Sequence, residues 1–223
     1  MKKILSKSIT IILTMCLLSA CTSKKDNVNL MDSERFQYEY NSLNGKIDDH
    51  GNKMRELNIE KDNPIEYSSY SEILNNIENE ETFWVYFGFP KCPWCRSCIE
   101  AMLDSASECG VEKIYYVNIY EGRYEYKYKN DKLKLTVTGD EDYLNLLDKL
   151  DSVLEEYTIQ DDSEELIDVG EKRIYAPSLI FVKDGEAVVI AKDSELLENP
   201  YDEITDYIYE DMKLKFSEVF LLS

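Results

Sequence analysis

The segment FWVYFGFPKCPWC, residues 83–95, contains the pattern that decides the fold. Its first five residues form a continuous apolar and aromatic run of the length of a buried strand, which the Gly-Phe-Pro at 88–90 ends. A helix is predicted over 92–109, because apolar residues recur there at helical spacing and a glycine follows. A second apolar strand is predicted over 114–119. The order strand, helix, strand predicts a βαβ unit with parallel strands.

Hydrophobic periodicity and turn residues predict further elements on both sides of this unit. In chain order they are a helix over 33–43 capped by Ser33, short strands around 54–59, a helix after a capping box of Ser69 and Glu72, a hairpin over 124–137, a helix over 140–156, a hairpin over 178–191 and a helix over 201–216.

The composition is that of a folded, acidic protein. The 223 residues include 45 Asp and Glu against 25 Lys and Arg, a formal net charge of −20. A field of this sign repels phosphate and anionic lipid, so nucleic-acid binding and electrostatic docking to membranes are not expected. The hydrophobic fraction of 43% is too high for a disordered acidic tail. The one histidine, His50, lies in a polar turn and is expected to be solvated, so a multi-histidine metal site is not expected.

The first 20 residues are predicted to be a signal peptide. Lysines at positions 2, 3 and 7 precede a mostly apolar run over 9–18, which is shorter than the roughly 20 residues of a membrane-spanning helix. The sequence Leu-Ser-Ala-Cys at 18–21 resembles the bacterial lipoprotein signal, in which the chain is cut before the cysteine and that cysteine carries the lipid. Cys21 is therefore the expected lipidation site. Ordinary cleavage nearby, which would leave a free Cys21, is the alternative.

This signal predicts an extracytoplasmic protein anchored to the cell membrane through lipid on Cys21. Residues 21–31 are short, polar and aperiodic, as expected for a lipidated flexible tether. Residues 32–223 are predicted to form a single domain. Outside the cytosol disulfides persist, so cysteine redox chemistry is permitted.

The C-x-x-C of Cys92 and Cys95 is the candidate catalytic site. It follows a predicted buried strand and opens a helix, a context that favours thiol-disulfide exchange. The helix N-terminus stabilises a thiolate, so Cys92 is predicted to be the nucleophile and Cys95 the resolving thiol of a Cys92–Cys95 disulfide. Lys91 and Arg96 are expected to add positive charge beside it, and Trp94 is expected to shape the rim.

Other interpretations of the cysteines remain open from the sequence. Cys92 and Cys95 could form a structural disulfide or half of a metal site, although a closed zinc site needs four ligands and no second C-x-x-C or nearby histidine is present. No metal is therefore predicted. Cys98 is expected to be a packed, inert thiol, with redox regulation or soft-metal binding as alternatives. Cys109 is expected to be a core residue at the helix end.

The sequence resembles the thioredoxin-like family through these features. The resemblance rests on the strand at 83–87, the CPWC at 92–95, the strand at 114–119, the Ala-Pro at 176–177 and the strand pair at 179–186. It covers about half of the mature chain. More narrowly, the chain resembles secreted thioredoxin-like lipoproteins of Gram-positive bacteria, some of which are called bacteriocin transport accessory proteins.

The resemblance implies an α/β fold with a central mixed sheet flanked by helices. It also implies that Pro177 is cis and lies against the cysteine pair, and that Ala176 offers backbone groups to an extended substrate, with Trp94 also contacting substrate. Residues 32–80 would be an N-terminal extension. Because 85 positions separate Cys92 from Pro177, roughly 121–172 would be an insertion before the cis-proline.

The sequence departs from the family pattern at Tyr86. Thioredoxins usually place a buried acid six residues before the first active-site cysteine, where it helps to move the proton of the resolving thiol. Tyr86 occupies that position.

These observations predict a thiol-disulfide oxidoreductase that exchanges disulfides with exported or cell-surface protein thiols, assisted by a separate redox partner and without a cofactor. One alternative is a thioredoxin-like binding or assembly factor for exported peptides, in which the cysteines are dispensable. Another is a thiolate metallochaperone that uses Cys92, Cys95 and Cys98, for which Cu(I) would be the favoured metal.

Overall fold

The structure, a computed structural model, describes residues 31–130, 132–161 and 165–222. The predicted signal peptide, Cys21 and the tether up to residue 30 lie outside the described residues. Across these three ranges, no helix has the length and apolar character needed to span a membrane.

The described chain contains five α-helices and nine strands. The helices are α1 Asp32–Asn41, α2 Tyr70–Glu78, α3 Pro93–Glu108, α4 Glu141–Leu150 and α5 Asp206–Phe220. The strands are β1 Ile65–Tyr67, β2 Phe83–Gly88, β3 Ile114–Asn118, β4 Glu125–Tyr128, β5 Leu133–Val137, β6 Glu155–Gln160, β7 Leu166–Arg173, β8 Ser178–Lys183 and β9 Glu186–Ala191.

A five-stranded mixed sheet forms the centre of the protein. Its strand order is β1-β3-β2-β8-β9. Strands β1 and β2 both run parallel to β3, with Val85 opposite Tyr115, so the predicted βαβ unit is confirmed. Strand β8 runs antiparallel to β2, with Tyr86 opposite Leu179. This pairing brings the residues just before β8 to the end of the sheet where α3 begins.

Helices cover both faces of the sheet. Side chains alternate between the two faces of a strand, so Tyr86 of β2 faces one core while Val85 and Phe87 face the other. The first core contains Tyr116 of β3 and buried residues of α1, α3 and α5, among them Phe36, Tyr40, Cys95, Ile99, Met212 and Phe216. The second core contains buried residues of α2 and α4, among them Ile73, Ile77, Tyr143, Leu146 and Leu150. The fold is therefore a mixed α/β fold with a central sheet flanked by helices.

Two hairpins lie outside the central sheet, within the region predicted as an insertion. The predicted hairpin over 124–137 is confirmed as β4 and β5. The helix predicted over 140–156 instead ends at Leu150, and β6 pairs with β7 in a hairpin that the sequence did not predict. Burial explains the change, because Tyr157 of β6 packs its ring on Tyr124, with the centroids 5.6 Å apart.

The N-terminal segment differs from its prediction in two places. Helix α1 begins at Asp32, so Ser33 lies inside it and is not its cap. Residues 54–59 form no strand, because asparagine side chains take the place of a pairing strand. Asn44 donates to the carbonyl of Leu57 at 2.7 Å and accepts from its N–H at 3.0 Å. Asn41 bonds both backbone groups of Ile59 in the same way.

Other local predictions are confirmed. Ser69 and Glu72 form the predicted capping box at the start of α2. The hairpin β8–β9 turns at 184–185, where both residues have positive φ, 51° and 78°. Helix α5 starts later than predicted, at Asp206, and the hydroxyl of Thr205 caps it.

Candidate active site

The predicted cysteine pair lies where β2 passes into α3. Strand β2 ends at Gly88, and the N–H of Cys92 donates to the carbonyl of Phe89 at 3.0 Å, which closes the connecting turn. Cys92 is the N-cap of α3, and Pro93 occupies the first helical position, where its missing N–H costs nothing. Cys95 follows in the first turn of the helix, so the strand and the helix together place both sulfurs at one edge of the sheet.

The surroundings of Cys92 favour its thiolate. Its sulfur accepts a hydrogen bond from the N–H of Cys95 at 3.1 Å. The pKa of Cys92 is lowered, first of all by a hydrogen bond with the thiol of Cys95. Hydrogen bonds with the backbone of Cys95 and Trp94 and the charge of Arg123 lower it further. Burial opposes the change. Backbone N–H groups at a helix start are the expected source of such stabilisation.

Cys95 has the opposite character. Its side chain is fully buried. Burial raises the pKa of Cys95 well above that of an ordinary thiol, and the neighbouring Cys92 raises it further. The two thiols of the motif therefore differ in acidity, with Cys92 the more acidic. Both cysteines are free in this structure.

Cys92 is slightly more exposed than Cys95. Its exposed fraction is 4%, against 0% for Cys95. Only a small opening in the surface therefore leads to Cys92.

The Ala-Pro at 176–177 lies beside Cys92, as the resemblance implies. The Ala176–Pro177 peptide bond is cis. The thiol of Cys92 donates to the carbonyl oxygen of Ala176, with the sulfur and the oxygen 3.5 Å apart. Pro177 is buried, whereas Ala176 and Trp94 are half-buried and pack against the first core. The structure thus brings together the predicted Cys92, Cys95 and Ala176, with Trp94 following Cys92 at the start of the helix.

The two cations predicted beside Cys92 have different surroundings. Lys91 is exposed, where water screens its charge. Arg96 is 1% exposed, and its guanidinium serves to join α3 to the N-terminal segment. It donates to the carbonyl of Tyr40 at 2.9 Å, to the carbonyl of Arg55 at 3.0 Å and to the side chain of Asn44 at 2.8 Å. Arg96 is a structural contact of the helix start.

The cation that acts on Cys92 is Arg123, which sequence reasoning missed. Its guanidinium lies over the ring of Phe89, 5.6 Å from the ring centroid. The carbonyl of the same Phe89 accepts a hydrogen bond from the N–H of Cys92. Arg123 belongs to the segment predicted as an insertion. No motif marks it in the sequence, since only the folded chain brings it to the cysteine pair.

Three buried tyrosines lie in the same core as the cysteines. Tyr86, which occupies the position of the usual family acid, is fully buried, as are Tyr40 of α1 and Tyr116 of β3. The rings of Tyr86 and Tyr116 stack with centroids 6.0 Å apart. Tyr40 and Tyr116 were not predicted as site residues.

A cavity of about 580 Å³ opens beside the motif. Its walls come from Phe89, Lys91 and Pro93 at the start of α3, from Tyr120 and Tyr201, and from residues between 43 and 54. The predicted substrate-binding residues Trp94, Ala176 and Pro177 do not line it. The cavity lies next to the cysteine turn and is partly aromatic.

The remaining predicted groups have structural surroundings. Cys98 is fully buried, and its thiol donates to the carbonyl of Cys95 at 3.7 Å, in agreement with a packed thiol. Cys109 is the C-cap of α3 and packs half-buried against the first core. His50 is exposed. Within the described ranges, no group of three or more His, Cys, Asp or Glu side chains could hold a metal ion.

No protein-family model matches this sequence, and no curated protein matches it.

Proposed function

We propose that this chain is a thiol-disulfide oxidoreductase of thioredoxin-like fold, tethered outside the cytosol through lipid on Cys21. The observation that carries the proposal is the asymmetric pair of thiols at the start of α3. Cys92 has a lowered pKa and contacts the carbonyl of Ala176, while Cys95 is fully buried with a raised pKa. An acidic attacking thiol with a second thiol beside it is the arrangement that disulfide exchange requires.

Several features of the fold support the thioredoxin-like assignment. Strands β3 and β2 are parallel and joined through α3, and β8 runs antiparallel beside β2. The C-x-x-C opens α3, and a cis-proline precedes β8 beside it. On this view the hairpins and the helix between 121 and 172 are an addition, and one of its residues, Arg123, acts on the active site.

The proposed reaction has two exchange steps. The thiolate of Cys92 attacks a substrate disulfide, forming a mixed disulfide and releasing one substrate sulfur as a thiolate, which takes up a proton. Cys95 then loses its proton and attacks the sulfur of Cys92, forming the Cys92–Cys95 disulfide and releasing the second substrate thiolate. The substrate disulfide gains two electrons and two protons, and the protein dithiol loses them. The same steps in reverse oxidise a substrate dithiol.

The surroundings of the pair suit a polypeptide substrate. The carbonyl of Ala176 and the small opening over Cys92 favour an extended chain that approaches along the cis-proline loop. The cavity beside Lys91 and Pro93 offers room for side chains next to the substrate cysteine. We propose exported or cell-surface proteins as substrates, with a separate protein that resets the redox state.

Trapping of the mixed disulfide tests this proposal. Insulin, a soluble disulfide-bonded protein, is the probe. Cys95→Ser should accumulate a covalent complex with insulin through Cys92, because the resolving thiol is gone. Cys92→Ser should accumulate little complex, and Cys98→Ser should behave like the unaltered protein. Equal trapping by the Cys92 and Cys95 variants would contradict the assigned roles.

Trypsin provides a clean readout of the pair. It cleaves after Lys91 and Arg96, and the peptide 92–96 contains Cys92 and Cys95 and no other cysteine. The mass of this peptide distinguishes dithiol, mixed disulfide and internal disulfide.

A further inference from the structure

Three tyrosine hydroxyls in the first core have no hydrogen-bond partner. They belong to Tyr40, Tyr86 and Tyr116, each with a side chain that is fully buried. They are three of the seven buried side-chain polar atoms without a partner in the described residues. A buried hydroxyl without a partner costs free energy, and phenylalanine would fill the same space without that cost. Their clustering therefore calls for an explanation.

All three tyrosines lie in the first core together with Cys95. Burial raises the pKa of each tyrosine, and a charge on Cys95 raises it further. For Tyr86, Cys95 is the strongest influence after burial.

The hydroxyl of Tyr86 also lies near the sulfur of Cys98, where it lowers the pKa of that thiol without closing a hydrogen bond of normal geometry. Tyr40 and Tyr116 are also neighbours: Tyr116 raises the pKa of Tyr40, and Tyr40 lowers the pKa of Tyr116, although neither closes a hydrogen bond of normal geometry.

Gly88 explains how Tyr86 is held in place. A Cβ atom at Gly88 would lie 2.9 Å from the hydroxyl oxygen of Tyr86 and 2.8 Å from its ring. Only glycine leaves this space open. The end of the phenol therefore lies against the last residue of β2, directly below the turn that carries the cysteines.

The groups around Cys95 include few charges. Cys92 and Cys98 are its thiol neighbours on α3. The three tyrosines lie in the same core and come from α1, β2 and β3. The neighbouring strand β8 and helix α5 contribute apolar side chains, Leu179, Phe181, Met212, Phe216, Val219 and Phe220. Asp193, whose own pKa burial raises, acts on Cys98. Arg123 acts on Cys92, and Arg96 interacts with Tyr40.

We propose that Tyr86, assisted by Tyr116 and Tyr40, stabilises the Cys95 thiolate by donating hydrogen bonds to it when that thiolate forms. This inference rests on the proposed function. In the dithiol state the hydroxyls have no acceptor, and the thiolate supplies one at the moment when Cys95 must attack. Donors fixed in a buried site need no rearrangement during the reaction and act strongly on a developing charge.

The proton balance of the step is simple. Cys95 gives its proton to water, the tyrosines keep theirs, and the departing substrate thiolate takes one up from water. The tyrosines thus assist the deprotonation of Cys95 by donating hydrogen bonds. In the thioredoxin-like family, a buried acid at the position of Tyr86 usually assists that step.

A two-step reaction with dithiobis(nitrobenzoate), a small aromatic disulfide, tests the proposal. The first step places one nitrothiobenzoate on Cys92, and the second releases it as Cys95 attacks. Samples are quenched rapidly with acid, alkylated and digested with trypsin. The mass of the peptide 92–96 then reports the progress of both steps. In Tyr86→Phe the second step should be about tenfold slower at neutral pH, with its pH–rate profile moved to higher pH, because a donor to the thiolate is lost. The first step should keep its rate.

Tyr143→Phe is the matched control. The hydroxyl of Tyr143 is also buried without a partner, but it lies in the second core, on the opposite face of the sheet. Its removal should leave both steps unchanged. Tyr116→Phe should slow the second step less than Tyr86→Phe does. Thermal unfolding checks that each variant is folded.

The outcomes separate this inference from the proposed function. A second step of normal rate and pH profile in both Tyr86→Phe and Tyr116→Phe overturns the inference and leaves the exchange reaction intact. Equal slowing of both steps also overturns it, since that result indicates a structural role. If the unaltered protein forms the adduct but never the internal disulfide, the proposed function itself fails.

Discussion

The two sulfurs of the motif are separated by one helical turn, yet their surroundings push their acidities in opposite directions. The sulfur of Cys92 accepts a hydrogen bond from a backbone N–H at the helix start, whereas Cys95 lies inside the first core. The thiolate is the reactive form of a cysteine, so in the proposed reaction this difference would decide which sulfur attacks first. The contribution of Arg123 is the part of this arrangement that substitution can isolate.

Replacing Arg123 with glutamine should raise the pKa of Cys92. The guanidinium charge lowers that pKa, so its loss should move the pH profile of alkylation of Cys92 by iodoacetamide to higher pH. At neutral pH, below the ordinary pKa of a thiol, less thiolate is then present and alkylation should be several-fold slower. The rate is measured on the peptide 92–96.

Lys91→Gln is the control for this substitution. Because it removes the tryptic site after residue 91, its rate is measured on the peptide 62–96, which also contains only Cys92 and Cys95. Lys91 is adjacent to Cys92 in the sequence but exposed, so its loss should move the profile little. A larger effect of Lys91→Gln than of Arg123→Gln would show that the nearby surface charge, and not the half-buried Arg123, sets the acidity of Cys92.

Among the elements, the start of α3 depends on the N-terminal segment that packs beside it. Arg96 reaches from α3 to the backbone of Tyr40 and Arg55 and to the side chain of Asn44. The carbonyl of Tyr40 also accepts from the N–H of Leu43 at 3.2 Å, so the loss of Arg96 would fall mainly on the carbonyl of Arg55. The predicted N-terminal extension therefore supports the helix that carries the cysteines, and its strand β1 forms an edge of the central sheet.

Arg96→Gln should destabilise the protein by about 2–4 kcal/mol, because it removes several charged hydrogen bonds of a buried guanidinium and takes the donor from the part-buried carbonyl of Arg55. Denaturant unfolding under reducing conditions measures the change. The matched control is Lys53→Gln, since Lys53 forms an ion pair with Glu56 that is largely exposed and worth about 0.5 kcal/mol or less. Equal stability of the two variants would contradict this role of Arg96.

The elements also show what the sequence could predict. Strands β2 and β3, helix α3 and the hairpin β8–β9 have strong apolar periodicity and clear turn residues, and their prediction was confirmed. Strand β1 has only three residues, too few for a pattern. Residues 54–59 have a strand-like sequence, but the side chains of Asn41 and Asn44 take their backbone hydrogen bonds, and local propensity does not show such long-range partners.

The part of the candidate site that is formed by residues close together in the sequence could be predicted. Cys92 and Cys95 are marked by their spacing after a strand, and the Ala176 loop follows from the resemblance. Arg123 comes from a distant segment, and the partners of Tyr86 come from α1 and β3. Their roles depend on how the chain packs, which no spacing along the sequence records.

For the molecule as a whole, the proposed lipid anchor would hold a chain whose full sequence has net charge −20 at a membrane whose anionic lipids repel it. A lipid contributes about 0.8 kcal/mol per buried methylene and needs no charge attraction. The anchor would keep the exchange reaction at the cell surface, where exported chains emerge.

Cys21→Ala should release the protein from the membrane fraction or leave it uncleaved, because the lipid attachment site is lost. Fractionation and the mass of the mature chain measure both outcomes. Cys16→Ala, a cysteine within the predicted signal peptide, is the control and should be processed normally. Unchanged anchoring and processing of Cys21→Ala would refute lipidation.

The reduction potential of the Cys92–Cys95 pair tests the central claim most directly. The protein is equilibrated with glutathione or dithiothreitol buffers of known potential, quenched with acid and alkylated. The mass of the tryptic peptide 92–96 is then measured. The account predicts a reversible two-electron transition between dithiol and internal disulfide, with a midpoint between about −270 and −120 mV. A pair that forms no internal disulfide across these buffers, or one that stays oxidised in all of them, would contradict a role in disulfide exchange.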